Sequence, residues 1–123
     1  MTRKKVHMYK ITFLEFEKYM LRELNKKSDS CIEIWFDVDE CIVYQGSWLG
    51  KMIDKNTKRD TYWFGLVPDG SQAYDYDSFE EFANAKVFYG NKSLKEIWTS
   101  ISILSLDGGP ADEMLQRFFK LQQ

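Results

Sequence analysis

Apolar positions along the chain follow two rhythms, a helical one near both ends and in the middle, and a strand one between. Phe13, Phe16, Met20 and Leu24 recur at helical spacing while Glu15, Lys18 and Arg22 fall elsewhere. That spacing predicts an amphipathic helix from about Thr12 to Lys26. Its start has the form of a capping box, in which the Thr12 hydroxyl and the Glu15 carboxylate take amides that the first turn leaves unpartnered. Ser28-Asp29-Ser30 breaks it. A second box, Ser78 to Glu81, precedes the apolar stripe of Phe79, Phe82 and Ala83. A third, Ser93 to Glu96, leads into Leu94, Ile97, Trp98 and Ile101. Pro110 stands where a first-turn proline would, ahead of Met114, Leu115, Phe118, Phe119 and Leu121, and predicts a closing helix.

Between these helices the period drops to two. In Cys31 to Phe36, Ile32, Ile34 and Phe36 share one face and Glu33 takes the other, as in a half-buried strand. Asp37 to Glu40 reads as a turn and Cys41 to Tyr44 as the partner strand. A short strand is expected around Trp48 to Ile53, then a polar loop from Asp54 to Asp60. Pro68-Asp69-Gly70 is a strong turn signal, since proline presets φ and glycine tolerates positive φ. It predicts a hairpin between Thr61–Val67 and Ser71–Tyr76. Ile101 to Leu106 alternates like one more strand, with Ile101, Ile103 and Ser105 facing one way. Strands gathered in the middle and helices around them predict a single α+β domain over residues 1–123, with residues 1–10 flexible. Its sheet is mainly antiparallel, of about four to five strands, with N-terminal, central and C-terminal helices on one face.

Composition narrows the function classes. Apolar residues make up 44% and charged residues 29% of the 123, the balance of a folded chain. The longest apolar runs are far short of the roughly 20 residues of a membrane span, and no apolar stretch follows the basic start as a secretory signal would. A cytoplasmic location is expected. Residues 1–30 hold eight basic and four acidic groups and the remainder nine and fifteen. A basic first third could touch nucleic acid, but the acidic balance of the whole argues against it. The two cysteines, Cys31 and Cys41, read as reduced strand residues; with His7 the single histidine, they do not make a zinc site. No cofactor or metal is expected.

Two features point to a binding surface. From Asp69 to Glu81 the chain carries five carboxylates and no Lys or Arg, interleaved with Tyr74 and Tyr76. Tyrosine offers rigid area with a polar tip, so Tyr74, Asp75, Tyr76 and Asp77 are candidates for contact with a basic protein surface. Of the four tryptophans, Trp35 and Trp98 lie in periodic segments and are expected in the core. Trp48, between two glycines, is expected at the surface.

An apolar strand ending in Asp37-Val38-Asp39 resembles the first motif of the haloacid-dehalogenase-like phosphotransferases. That resemblance implies Asp37 as nucleophile and Asp39 as general acid, both near Mg²⁺; Cys41 stands where that family usually has Thr, and Asp107 is the one candidate for its later acidic motif. A second stretch, Ala85 to Trp98 with the preceding Phe79-Glu80-Glu81-Phe82, resembles small uncharacterised proteins of Gram-positive bacteria and their phages. It implies a setting of inter-bacterial or phage conflict, where small acidic domains block a partner. The reading that follows is a protein-binding domain, of inhibitor or immunity type, acting by steric blocking. A Mg²⁺-dependent phosphotransferase using Asp37 and Asp39 is the alternative, and a self-associating module of a mobile element a third.

Overall fold

A computed structural model describes residues 9–24, 31–66 and 72–121. The chain runs α1 (Phe13–Met20), β1 (Cys31–Val38), β2 (Ser47–Ile53), β3 (Asp60–Leu66), β4 (Gln72–Tyr76), α2 (Phe79–Asn84), β5 (Ile101–Leu106) and α3 (Ala111–Leu121). The five strands form one sheet in the order β4-β3-β2-β1-β5, every neighbouring pair antiparallel. The fold is therefore α+β, with the meander of the first four strands extended by β5 at the β1 edge. Tyr9 closes that edge by exchanging two backbone hydrogen bonds with Ile103, of 2.9 and 2.8 Å. Among the described residues no helix is long and apolar enough to cross a membrane.

Period two sorts the strands into a covered and an open face. Ile32, Ile34, Phe36 and Val38 of β1, Leu49 of β2, Tyr62, Phe64 and Leu66 of β3, and Ile101, Ile103 and Leu106 of β5 are buried on the covered face. Onto them pack Phe16, Tyr19 and Met20 of α1, Phe79, Phe82 and Ala83 of α2, and Ala111 and Leu115 of α3. Aromatic stacking joins the layers: the Phe64 and Phe82 ring centroids lie 4.3 Å apart, and those of Phe16 and Trp98 4.2 Å.

Four expected elements take another form. The Thr12–Glu15 capping box is present in both directions, but α1 ends at Met20; residues 25–30 lie outside the described region. Cys41 to Tyr44 is no strand. Ile42–Tyr44 is a single 3₁₀ turn with Ile42 exposed, and the partner of β1 is Ser47–Ile53. The Ser93–Glu96 box also forms, with amide-to-side-chain bonds of 3.0 and 3.2 Å. The chain there makes only successive turns and a 3₁₀ turn at Trp98–Ser100, because β5 must begin at Ile101. The alternation expected in β5 is interrupted too. A bulge opposite Trp35 and Phe36 shifts the register, so Leu106, not Ser105, joins Ile101 and Ile103 on the covered face. The Pro68–Gly70 turn lies outside the described residues.

Two polar groups that periodicity does not reveal hold α1 in place. Lys51, 1% exposed, donates to the carbonyls of Met20 and Arg22 at 2.8 and 2.7 Å. It thereby places a cation at the negative C-terminal end of the helix. Burial pushes the Lys51 ammonium pKa down, against the pull of Asp60, 3.5 Å away. Asp107, at φ 51°, accepts from the Tyr19 hydroxyl (2.5 Å), the Arg22 guanidinium (3.1 Å) and the Glu33 amide (2.8 Å). Its own amide donates to the Glu33 carbonyl. Burial, then the Asp107 carboxylate, raise the Tyr19 hydroxyl well above its ordinary pKa.

Candidate docking face

With the three described helices on one side, the other side of the sheet is, among the described residues, left to its own side chains. The strand register places them in rows that cross the sheet. One row runs Asp75, Trp63, Gly50, Glu33, from β4 through β3 and β2 to β1. The next runs Ala73, Gly65, Trp48, Trp35, Ser105, from β4 to β5. Thr61, Met52 and Cys31 make a third, and Asp37 opposite Ser102 a fourth. Three of the four tryptophans thus share the open face.

Glycine decides how the rings lie. A Cβ built on Gly50 would stand 2.6 Å from the Trp63 ring and 2.0 Å from the Ile32 carbonyl oxygen. The indole therefore rests on bare backbone, and Gly50 is buried beneath it. Trp63 also reaches Gly65, at 3.7 Å from the corresponding position. Gly46, at φ +74°, leaves room in the same way for the Trp35 indole nitrogen. Trp35 and Trp48 stack with centroids 6.0 Å apart and planes 21° from parallel. The glycines act as seats for aromatic rings that would otherwise stand off the sheet. Trp48 remains 38% exposed and Met52 48%.

The outward residues of the five strands include three carboxylates, Glu33, Asp37 and Asp75, and no Lys or Arg. Asp75 is exposed, with no hydrogen bond or ion pair among the described residues. Glu33 is exposed and accepts a long contact of 3.7 Å from the Cys31 thiol. Burial, followed by the Glu33 carboxylate, raises the Cys31 pKa.

The residues expected at a binding surface divide between the two sides. Trp48 and Asp75 lie on the open face. Tyr74 and Tyr76, alternating with Asp75, lie on the other side of β4: Tyr76 packs on Phe64 and Phe82, while Tyr74 is 37% exposed at the sheet edge. Asp77, exposed, follows β4 directly. Trp98 is core as expected, its indole N–H donating to the Ile11 carbonyl at 2.8 Å. Trp35 is not core: strand alternation puts it with Glu33 on the open face. Both this and Trp63 were legible from period two, had the side lacking helices been known.

Asp37 and Asp39 are both engaged in local structure. Asp37 accepts the Gly46 amide at 2.7 Å, closing the loop into β2. Asp39 pairs with Lys10 and with the Ser102 hydroxyl, each at 2.5 Å. Burial alone would raise the Asp39 pKa, but these two hydrogen bonds outweigh it and hold the carboxyl below the usual range. The strand that carries Asp37 and ends just before Asp39 has antiparallel neighbours on both sides, unlike the strand–helix alternation that the phosphotransferase resemblance implies. Among the described residues no three His, Cys, Asp or Glu side chains gather so as to hold a metal ion. The free cysteines are exposed (Cys31) and half-buried (Cys41), so Cys31 is not packed inside and Cys41 is in no strand. Comparison with protein-family models, curated proteins and solved structures finds no match.

Proposed function

We propose that the chain is a small protein-binding domain that seats a partner on the open face of its sheet and acts by occluding the partner's surface, as an inhibitor or immunity-type protein does. The observation that carries this reading is the open face itself. Trp35, Trp48 and Trp63 lie together on it, bordered by carboxylates and by no strand-borne cation. Tryptophan is the residue most enriched among binding hot spots, and one-sided charge selects a partner with a basic surface. Five strands about 4.8 Å apart and some 20 Å long give a plane of roughly 400 Å², short of the ~800 Å² per partner of a standard interface. The contact therefore extends past β4 to Asp77, exposed just after the strand, and around the sheet edge to Tyr74, exposed on the other side.

Affinity capture from lysate of the host, run in parallel with wild type, Trp48→Ala and Asp75→Lys, tests this. A basic partner retained stoichiometrically by wild type and lost from both variants is expected. Both variants should unfold within about 1 kcal/mol of wild type, since exposed substitutions rarely cost more. An identical retained set from all three proteins overturns the docking face.

A further inference from the structure

The two tryptophan rows of the open face differ in their surroundings. In the row of Trp48 and Trp35 the indoles stack on each other, and the remaining members are Gly65, Ala73 and Ser105, none of them charged. In the row of Trp63 a single indole lies over Gly50, with Asp75 on the neighbouring strand to one side and Glu33 beyond the glycine on the other. At about 4.8 Å per strand, the two carboxylate-bearing positions stand roughly 14 Å apart, with the indole between them.

We infer that this row, Asp75–Trp63–Gly50–Glu33, is an arginine-recognition site, in which a guanidinium from the partner stacks on the Trp63 indole and pairs with the flanking carboxylates. The inference rests on the docking-face reading and names the group that the face selects. Three features fit together. An indole seated on bare backbone presents a flat surface, and a planar, weakly hydrated guanidinium stacks on such a surface where a compact ammonium does not. Cation–π attraction is strongest for tryptophan. Arginine's N–H fork also suits carboxylate oxygens; among the described residues the Asp75 carboxylate has no partner, and that of Glu33 only the Cys31 thiol. A phosphate or other anion would meet three carboxylates on this face, and an uncharged group would leave the charges of Asp75 and Glu33 uncompensated.

Tetra-arginine amide, titrated into the intact protein at physiological ionic strength beside tetra-lysine and tetra-citrulline amides, tests the site. The shift of the Trp63 indole N–H in proton–nitrogen spectra is the readout, assigned with Trp63→Phe. Arginine and lysine peptides of equal charge separate stacking from simple attraction to an acidic protein. The expected result is binding about tenfold tighter for arginine than for lysine, with no saturable shift from citrulline. The double variant Glu33→Gln, Asp75→Asn changes only exposed groups and keeps the indole, so it serves even if Trp63 variants fold poorly. It should weaken arginine binding about tenfold or more. Equal affinities for arginine and lysine, or an unchanged affinity in the double variant, overturn the site. If that happens while Trp48→Ala still abolishes partner capture, the docking face stands without it. If arginine preference holds while capture survives Trp48→Ala, the docking reading falls and the arginine site stands.

Discussion

The two faces of this sheet solve the same problem with different means. Each must keep backbone and apolar side chains from water. On the covered side three helices supply the second layer, and aromatic rings interdigitate, Phe64 against Phe82 and Phe16 against Trp98. On the open side no helix of the described residues packs. There the rings lie down: Trp63 over Gly50 and Trp35 beside Gly46, with Trp48 stacked on Trp35. The first arrangement spends its aromatics on the interior. The second keeps them half-exposed, where a partner can reach them. Exposed aromatic area is therefore no sign of poor packing here; it is what a one-layered sheet face looks like when glycine replaces the helix.

That contrast can be broken most forcefully from the covered side. Phe82→Ala removes a ring that is 0% exposed and should lower unfolding free energy by about 3–5 kcal/mol, the usual cost of such a cavity. Urea denaturation reads it, and partner capture by the folded fraction should be unaffected. A loss of about 1 kcal/mol would mean that the covered layer is loosely packed and the two faces less distinct. Gly50→Ala should come next, at about 1–3 kcal/mol, a typical cost of forcing extra atoms into a packed site. It also sharpens the comparison. The Ile32 carbonyl oxygen is nearer than the indole, so trimming Trp63 to Leu should not rescue it. Rescue would show that the glycine serves the ring alone. The smallest effect belongs to neither face. Glu96, outside the sheet, pairs with Lys86 and accepts the Ser93 amide, and these hold its carboxyl down to about 2 from 4.5. A depressed folded-state pKa stabilises above 4.5 and loses that contribution as pH falls towards 2. The melting temperature should therefore drop over that interval, and Glu96→Gln should flatten the drop. An unflattened curve would assign the acid sensitivity to other carboxylates, Asp39 first.

Much of the layout could be read in the residues, because local rules and tertiary packing agree there. The boxes at Thr12 and Ser78 do cap helices, and β1, β3, β4 and α3 fall close to their expected positions. Elsewhere distant contacts prevailed. The Ser93 box closes its hydrogen bonds without a helix following. Cys41 to Tyr44 has strand composition but makes a 3₁₀ turn, because Gly46 and the Asp37 carboxylate close the chain into β2 one segment later. The candidate site was half visible: Trp48 and Asp75 stood out, whereas Trp63, Trp35 and Glu33 looked like ordinary strand residues.

Period, capping chemistry and composition, all properties of neighbours along the chain, determined that this protein is an α+β domain with an antiparallel meander, and which residues alternate together on each strand. They left open which face the helices would cover, since alternation is symmetric between the two sides until something packs on one. Only the tertiary structure decided that. By putting α1, α2 and α3 on the same side, it buried Lys51 beneath a helix end, drew Asp107 to Tyr19 and Arg22, and left three tryptophans and their bordering carboxylates facing out.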